Sequence, residues 1–213
     1  MIKHLFLLFF IFRQISFFIP INNKINFYDY KIENFSQSVS IIKEKKDIRI
    51  DIRYLFKKLP YVSKGFLFPK FKGNDKISSI AKRIYYSSDS YTSYVKNVLL
   101  FLKNNLKYDE SKAPQDPITV LKRGTAFCTG YTNLAYELLK RGGITVKKVS
   151  GFYFFNKKNI LQKHSWIEVF FPNNGWFAID PISGEFSDSY IYGEIREKTI
   201  SLKDFSVSYS IEN

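Results

Sequence analysis

The stretch Gly124–Tyr131, "GTAFCTGY", holds the single cysteine of a 213-residue chain. Apolar spacing downstream predicts a helix from Cys128 to Arg141, with Tyr131, Leu134, Ala135, Leu138 and Leu139 on its buried face. Cys128 therefore falls in the first turn, where the positive end of the helix dipole and unpaired N–H groups favour the thiolate. Lys140 and Arg141 suit the other end, and Gly142 is expected to supply a left-handed cap. A lone cysteine on a helix is more commonly a small buried hydrophobe. A catalytic reading needs a proton-transfer partner.

Two histidines are available, and His4 lies in the N-terminal segment, which leaves His164. It is expected to open a strand, "HSWIEVFF", followed by a turn at "PNNG" and a strand "WFAID" ending at Asp180. His164 and Asp180 are sixteen residues apart, an even separation. A hairpin centred on Pro172 brings them together on one face, and an odd register offset sends them to opposite faces. A carboxylate beside His164 would fix its tautomer and stabilise the imidazolium. The contact between Cys128 and His164 is non-local, and spacing does not establish it.

The remaining pattern is α+β. Helices are predicted over Lys76–Tyr86 and from Tyr91 to about Leu106, with a helical turn at "ITVLKR" ending at Gly124. "ITVKKVSGFYFF" reads as a strand, and with the two strands after it forms an antiparallel meander. Residues 24–75 are β-rich and turn-rich, with strand patterns in "FYDYKI" and "DIRIDIRYLF".

The N-terminus, "MIKHLFLLFFIF", has Lys3 and His4 before an apolar run from Leu5 to Phe12. Residues 1–23 are expected to be an export signal, with an uncleaved anchor or a buried element of the domain as alternatives. The run is too short to cross a bilayer unaided. Export, to the periplasm, medium or a membrane-anchored state, is the expectation. Membrane association would run through this segment.

The net charge is +14, but the lysines are scattered. Neither a nucleic-acid motif nor a phosphate loop is present, and no nucleic-acid partner is expected. One cysteine allows no internal disulfide, and with one domain histidine it cannot build a usual zinc site; no metal or other cofactor is expected.

Taken together, "GTAFCTGYTNLAYELLKRGGITVKKVSGF" and "HSWIEVFFPNNGWFAIDP" resemble the transglutaminase-like superfamily of papain-type thiol enzymes. The family's ordered elements are a Cys-bearing helix closing in an Arg–x–Gly–Ile run, His–x–Trp–x–Glu–Val, and Gly–Trp–x–x–x–Asp–Pro. They fall here at Leu139–Gly151, His164–Val169 and Gly175–Pro181. The resemblance covers about residues 76–183 and leaves residues 184–213 as a C-terminal extension. It implies a papain/transglutaminase-like core whose Cys-bearing helix packs on an antiparallel sheet. It also implies a Cys128–His164–Asp180 triad acting on the amide bonds of a protein or peptide.

Peptidase or amidase hydrolysis is the favoured outcome. Amine-accepting cross-linking and a non-catalytic binding module are the alternatives. In relatives, a side chain upstream of the nucleophile completes the oxyanion hole. Tyr108, twenty residues before Cys128, is the candidate, against a plain packing role. Trp166 is either a cleft wall or core, and Trp176 is expected in the core. One departure stands out: the family often has Gly–x–Cys, whereas Gly124 precedes Cys128 by four residues.

Overall fold

The computed structural model describes residues 10–20, 25–27, 37–55, 59–71, 75–111, 113–155, 160–184, 190–195, 199–201 and 205–212. The described residues form four α-helices: α1 (Lys76–Tyr86), α2 (Tyr91–Asn105), α3 (Pro117–Arg123) and α4 (Cys128–Arg141). Three begin with a side-chain cap. Asp75 accepts from Ser78 N–H, Ser90 from Ser93 N–H, and Asp116 from Thr119 N–H. The expected apolar stripe of α2 is buried along its whole length, from Tyr91 to Leu106.

α4 ends differently from the expectation. Gly142 stays right-handed at φ −74°, and Gly143 is the left-handed residue, at φ +86°. Gly142 is needed for closeness instead. A Cβ there would lie 2.1 Å from the ring of Tyr94, whose hydroxyl donates to Leu138 O.

The meander is β7 (Val146–Phe155), β8 (Ile160–Phe171) and β9 (Gly175–Ile179), all antiparallel. β8 starts four residues before His164, so the histidine lies within the strand rather than opening it. Alternation along β8 and β9 sorts the faces. Ile167, Val169, Phe171, Phe177 and Ile179 pack against the helices. Trp166 and Ala178 pack with Val149 in a separate cluster. Glu168 is fully buried, with Lys147 Nζ 2.7 Å from its carboxylate. Burial raises its pKa and Lys147 opposes that shift. Trp176, expected in the core, is only half-buried, with Lys147 Nζ 4.3 Å from its ring centroid.

The chain ends enter two sheets. β1 (Phe10–Pro20) lies between β4 (Asp47–Leu55) and β12 (Phe205–Glu212), and β3 (Gln37–Lys43) pairs β4. β7 and β8 continue the second sheet, in which β10 (Tyr190–Ile195) pairs β7, β11 (Thr199–Ser201) pairs β8, and β2 (Ile25–Phe27) pairs β10. Residues 10–20, within the segment expected to be an export signal or anchor, are a strand here. It is paired on both sides, with Ile15 and Ile19 fully buried among Ile48, Ile50, Ile52, Phe152 and Leu161. Residues 1–9 and the "FYDYKI" pattern beyond Phe27 lie outside the described residues. No helix among the described residues is long and apolar enough to cross a membrane.

Candidate active site

The nucleophile loop is built from short-range constraints. Gly124 closes α3 in the left-handed region, at φ +71°, and its N–H donates to Val120 O. That explains its distance from Cys128: it terminates a helix and does not shape the thiol's own turn. Thr125–Ala126 then forms β6, parallel to β5 (Lys107–Tyr108). Lys107 N–H donates to Gly124 O and Asp109 N–H to Ala126 O, both at 2.9 Å. α4 follows at once. Its N-cap is Phe127, which has no side chain able to accept from the first turn.

Cys128, His164 and Asp180 converge. The imidazole Nε2 of His164 lies 3.2 Å from Asp180 Oδ2. The Cys128 side chain hydrogen-bonds the same ring, which leaves Nδ1 to face the sulfur. The β8–β9 register pairs Ile167 with Ile179, centring the hairpin on residue 173 rather than Pro172. Moving the centre by one residue slips the register by two, so parity survives and the two side chains keep a common face. Asn173, at φ +63°, and Gly175, at φ +83°, accommodate the turn.

Asp180 is doubly held. Oδ1 accepts from Ile182 N–H at 2.9 Å while Oδ2 serves His164. Its backbone carbonyl also accepts from Gly184 N–H at 2.8 Å. The turn-forming role of an Asp before Pro and its role beside the histidine are therefore one arrangement.

Burial alone would discharge His164. The hydrogen bonds and charges of Asp180 and Cys128 outweigh that cost and push its pKa up to about 9. At neutral pH the ring is therefore an imidazolium beside the sulfur.

Tyr108 is 46% exposed, and its ring lies against that of Phe127, with centroids 5.7 Å apart. Partial burial, the nearby Cys128, the Glu110 carboxylate it hydrogen-bonds and Asp180 push its phenol up to about 12. It stays a protonated donor at neutral pH. Trp166 has no exposed surface and packs with Val149 and Ala178. Cys128 itself is only 3% exposed, and the side chains of His164 and Asp180 are 15% and 13% exposed. The site is more enclosed than its position at a helix start suggests.

Gln115 has no motif to announce it. Its Oε1 accepts from Phe127 N–H at 3.0 Å, one residue before the nucleophile.

Residues 78–181 match the model of the transglutaminase-like superfamily. YebA of Bacillus subtilis (strain 168), itself uncharacterized, is 25% identical over 122 residues. That match covers 52% of this chain and 15% of YebA. Among solved structures, a Cytophaga hutchinsonii protein with a provisional cysteine-protease assignment superposes with a TM-score of 0.50 at 12% identity. The alignment covers 96% of this chain and 91% of that one, and supports the shared fold. The periplasmic domain of TgpA from Pseudomonas aeruginosa, bound to ethylmercury, gives a TM-score of 0.46 at 13% identity, over 79% of this chain and 72% of that one.

Proposed function

Residues 78–181 belong to the transglutaminase-like superfamily, and from that premise we propose that the chain is a thiol acyl-transfer enzyme acting on amide bonds. The observation that carries this reading is the ring of His164, held between the Cys128 sulfur and the Asp180 carboxylate.

The Cys128 thiolate attacks the amide carbonyl carbon, and the carbonyl π pair moves to oxygen. The resulting oxyanion meets the backbone N–H of Cys128 and the Tyr108 hydroxyl. His164 delivers its Nδ1 proton to the departing amine and leaves a thioester. The ring, now neutral, takes a proton from water as that water attacks the thioester carbonyl. The acid leaves, and the thiolate–imidazolium pair is restored. Asp180 holds the ring's orientation throughout. We propose a protein or peptide as substrate and an exported location for the enzyme.

Amine-accepting cross-linking is the second reading. The enclosure of Cys128, at 3% exposure, favours it, since a thioester that transfers to an amine must be kept from water.

The test pairs peptide amides, alone, with a glutamine-bearing acyl donor supplied together with a labelled amine. Products are read by mass spectrometry, with Cys128→Ala as control. Cys128-dependent release of free acid is expected. Amine incorporation exceeding hydrolysis would replace the hydrolase with a transglutaminase. Neither product with any donor would leave a binding module.

A further inference from the structure

α4 is the one described helix of at least seven residues that starts without a side-chain cap, because Phe127 occupies the position. Something else must hold the residue before the nucleophile. β5 restrains the chain up to Ala126, whose carbonyl accepts from Asp109 N–H. From Gly130 onward the helix restrains itself, Gly130 N–H donating to Phe127 O at 2.9 Å. The Ala126–Phe127 peptide N–H lies between these two clamps, and its acceptor is Gln115 Oε1.

Gln115 is itself fixed at three points. Its Nε2 donates to Ala113 O at 2.7 Å, and its backbone carbonyl accepts from Asn133 Nδ2 at 3.0 Å. Its Oε1 fills space that only a glycine on α4 leaves open. A Cβ on Gly130 would lie 2.3 Å from Oε1, 2.9 Å from Ala126 Cβ and 3.0 Å from Val120 Cγ2. The amide of Gln115 is thus keyed into the first turn of the nucleophile's helix from outside it.

We infer that Gln115 is a positioning residue of the acyl-transfer centre: by holding Phe127 it aims the Cys128 backbone N–H at the oxyanion. This rests on the acyl-transfer reading above. Gln115 touches neither substrate nor thiol in this role. Its loss misdirects a donor without deleting it. Loss of a whole donor costs about 100- to 1,000-fold in enzymes of this kind, so about 10- to 100-fold is expected here.

Two probes separate aiming from mere stability. Alkylation of Cys128 by iodoacetamide displaces iodide and forms no oxyanion. Acetyl-Leu-Leu-norleucinal adds through its aldehyde carbon and places an oxyanion in the hole. Gln115→Ala should weaken the aldehyde about 10- to 100-fold and leave the iodoacetamide rate within about twofold of wild type. Gly130→Ala, which displaces the Gln115 amide, should do the same, and the double variant should lose little more than either alone. Unchanged aldehyde affinity in Gln115→Ala, with the wild type still binding it, overturns the inference and leaves the acyl-transfer reading intact. A parallel fall of both probes shows a structural role only and also overturns it. A wild type that takes iodoacetamide but not aldehyde overturns the acyl-transfer reading, and this inference with it.

Discussion

Asp180 spends its two carboxylate oxygens on two different tasks: Oδ2 lies 3.2 Å from His164 Nε2, and Oδ1 accepts from Ile182 N–H at 2.9 Å. An amide has one oxygen and cannot do both. Asp180→Asn must either leave the turn N–H without its acceptor or present an NH2 group to the imidazole. We expect turnover to fall by about 100- to 10,000-fold with the fold retained. Steady-state kinetics beside a thermal melt check this. Near-normal turnover would remove Asp180 from the mechanism and leave Cys128 in it.

The pH profile follows from His164. Its folded pKa, about 9, lies above the ordinary 6.5. Below 9 the imidazolium can protonate a leaving amine, and above 9 it cannot, so kcat/KM should fall as pH rises through about 9. In Asp180→Asn this limb should move to lower pH, because the carboxylate is the larger of the two influences, with Cys128, that offset burial. Stability has the same sign. A raised pKa contributes fully below 6.5, and the contribution is lost as pH climbs from 6.5 through about 9. The stability difference between wild type and His164→Gln should therefore shrink across that window in urea titrations. A difference that is flat with pH would contradict the ion pair.

Cys128 is the chain's one thiol, so labelling is unambiguous. With 3% of its surface exposed, it should discriminate by reagent size. Iodoacetamide should label it, and a fluorescein maleimide should label it at least about tenfold more slowly than it labels a free thiol of the same reactivity. His164→Ala should slow the iodoacetamide reaction by removing the ring that hydrogen-bonds the sulfur. Equal rates in both proteins would show that the ring does not assist the thiol.

What the sequence made legible was local or parity-protected. The span of α4, with Cys128 in its first turn, follows from 3.6-residue spacing and needs no tertiary information. The His164–Asp180 encounter survived a misplaced turn centre because a one-residue shift changes the register by two and spares the face. Gly142 and Gly143 were indistinguishable as caps: Gly143 takes the positive φ, and Gly142 is held to glycine by the approach of Tyr94, which no local pattern reports. Gln115 was invisible because it reaches Phe127 through a loop of no fixed period. The N-terminal apolar run is ambiguous for a related reason. A central strand and the core of a leader are both short apolar segments, and pairing with β4 and β12 is information that distant residues hold.

That last point yields a test. β1 is flanked by a partner on each side, along Phe12–Pro20 with β4 and Phe10–Phe17 with β12. Ile15 and Ile19 expose no surface and close the cluster that joins this sheet to Phe152 and Leu161 of the meander. Removing one such side chain costs about 2–5 kcal/mol in a well-packed core, a large share of the stability of an ordinary domain. Ile15→Ala and Ile19→Ala should each lower the unfolding free energy by that order in urea. A chain starting at Ile21 also loses the ladder on both sides of the strand, and should fail to fold or unfold at much lower denaturant. N-terminal sequencing of the native protein should accordingly find a mature end no later than Phe10. A stable, active protein whose first residue lies beyond Ile19 would show that β1 is dispensable and make residues 10–20 part of a leader.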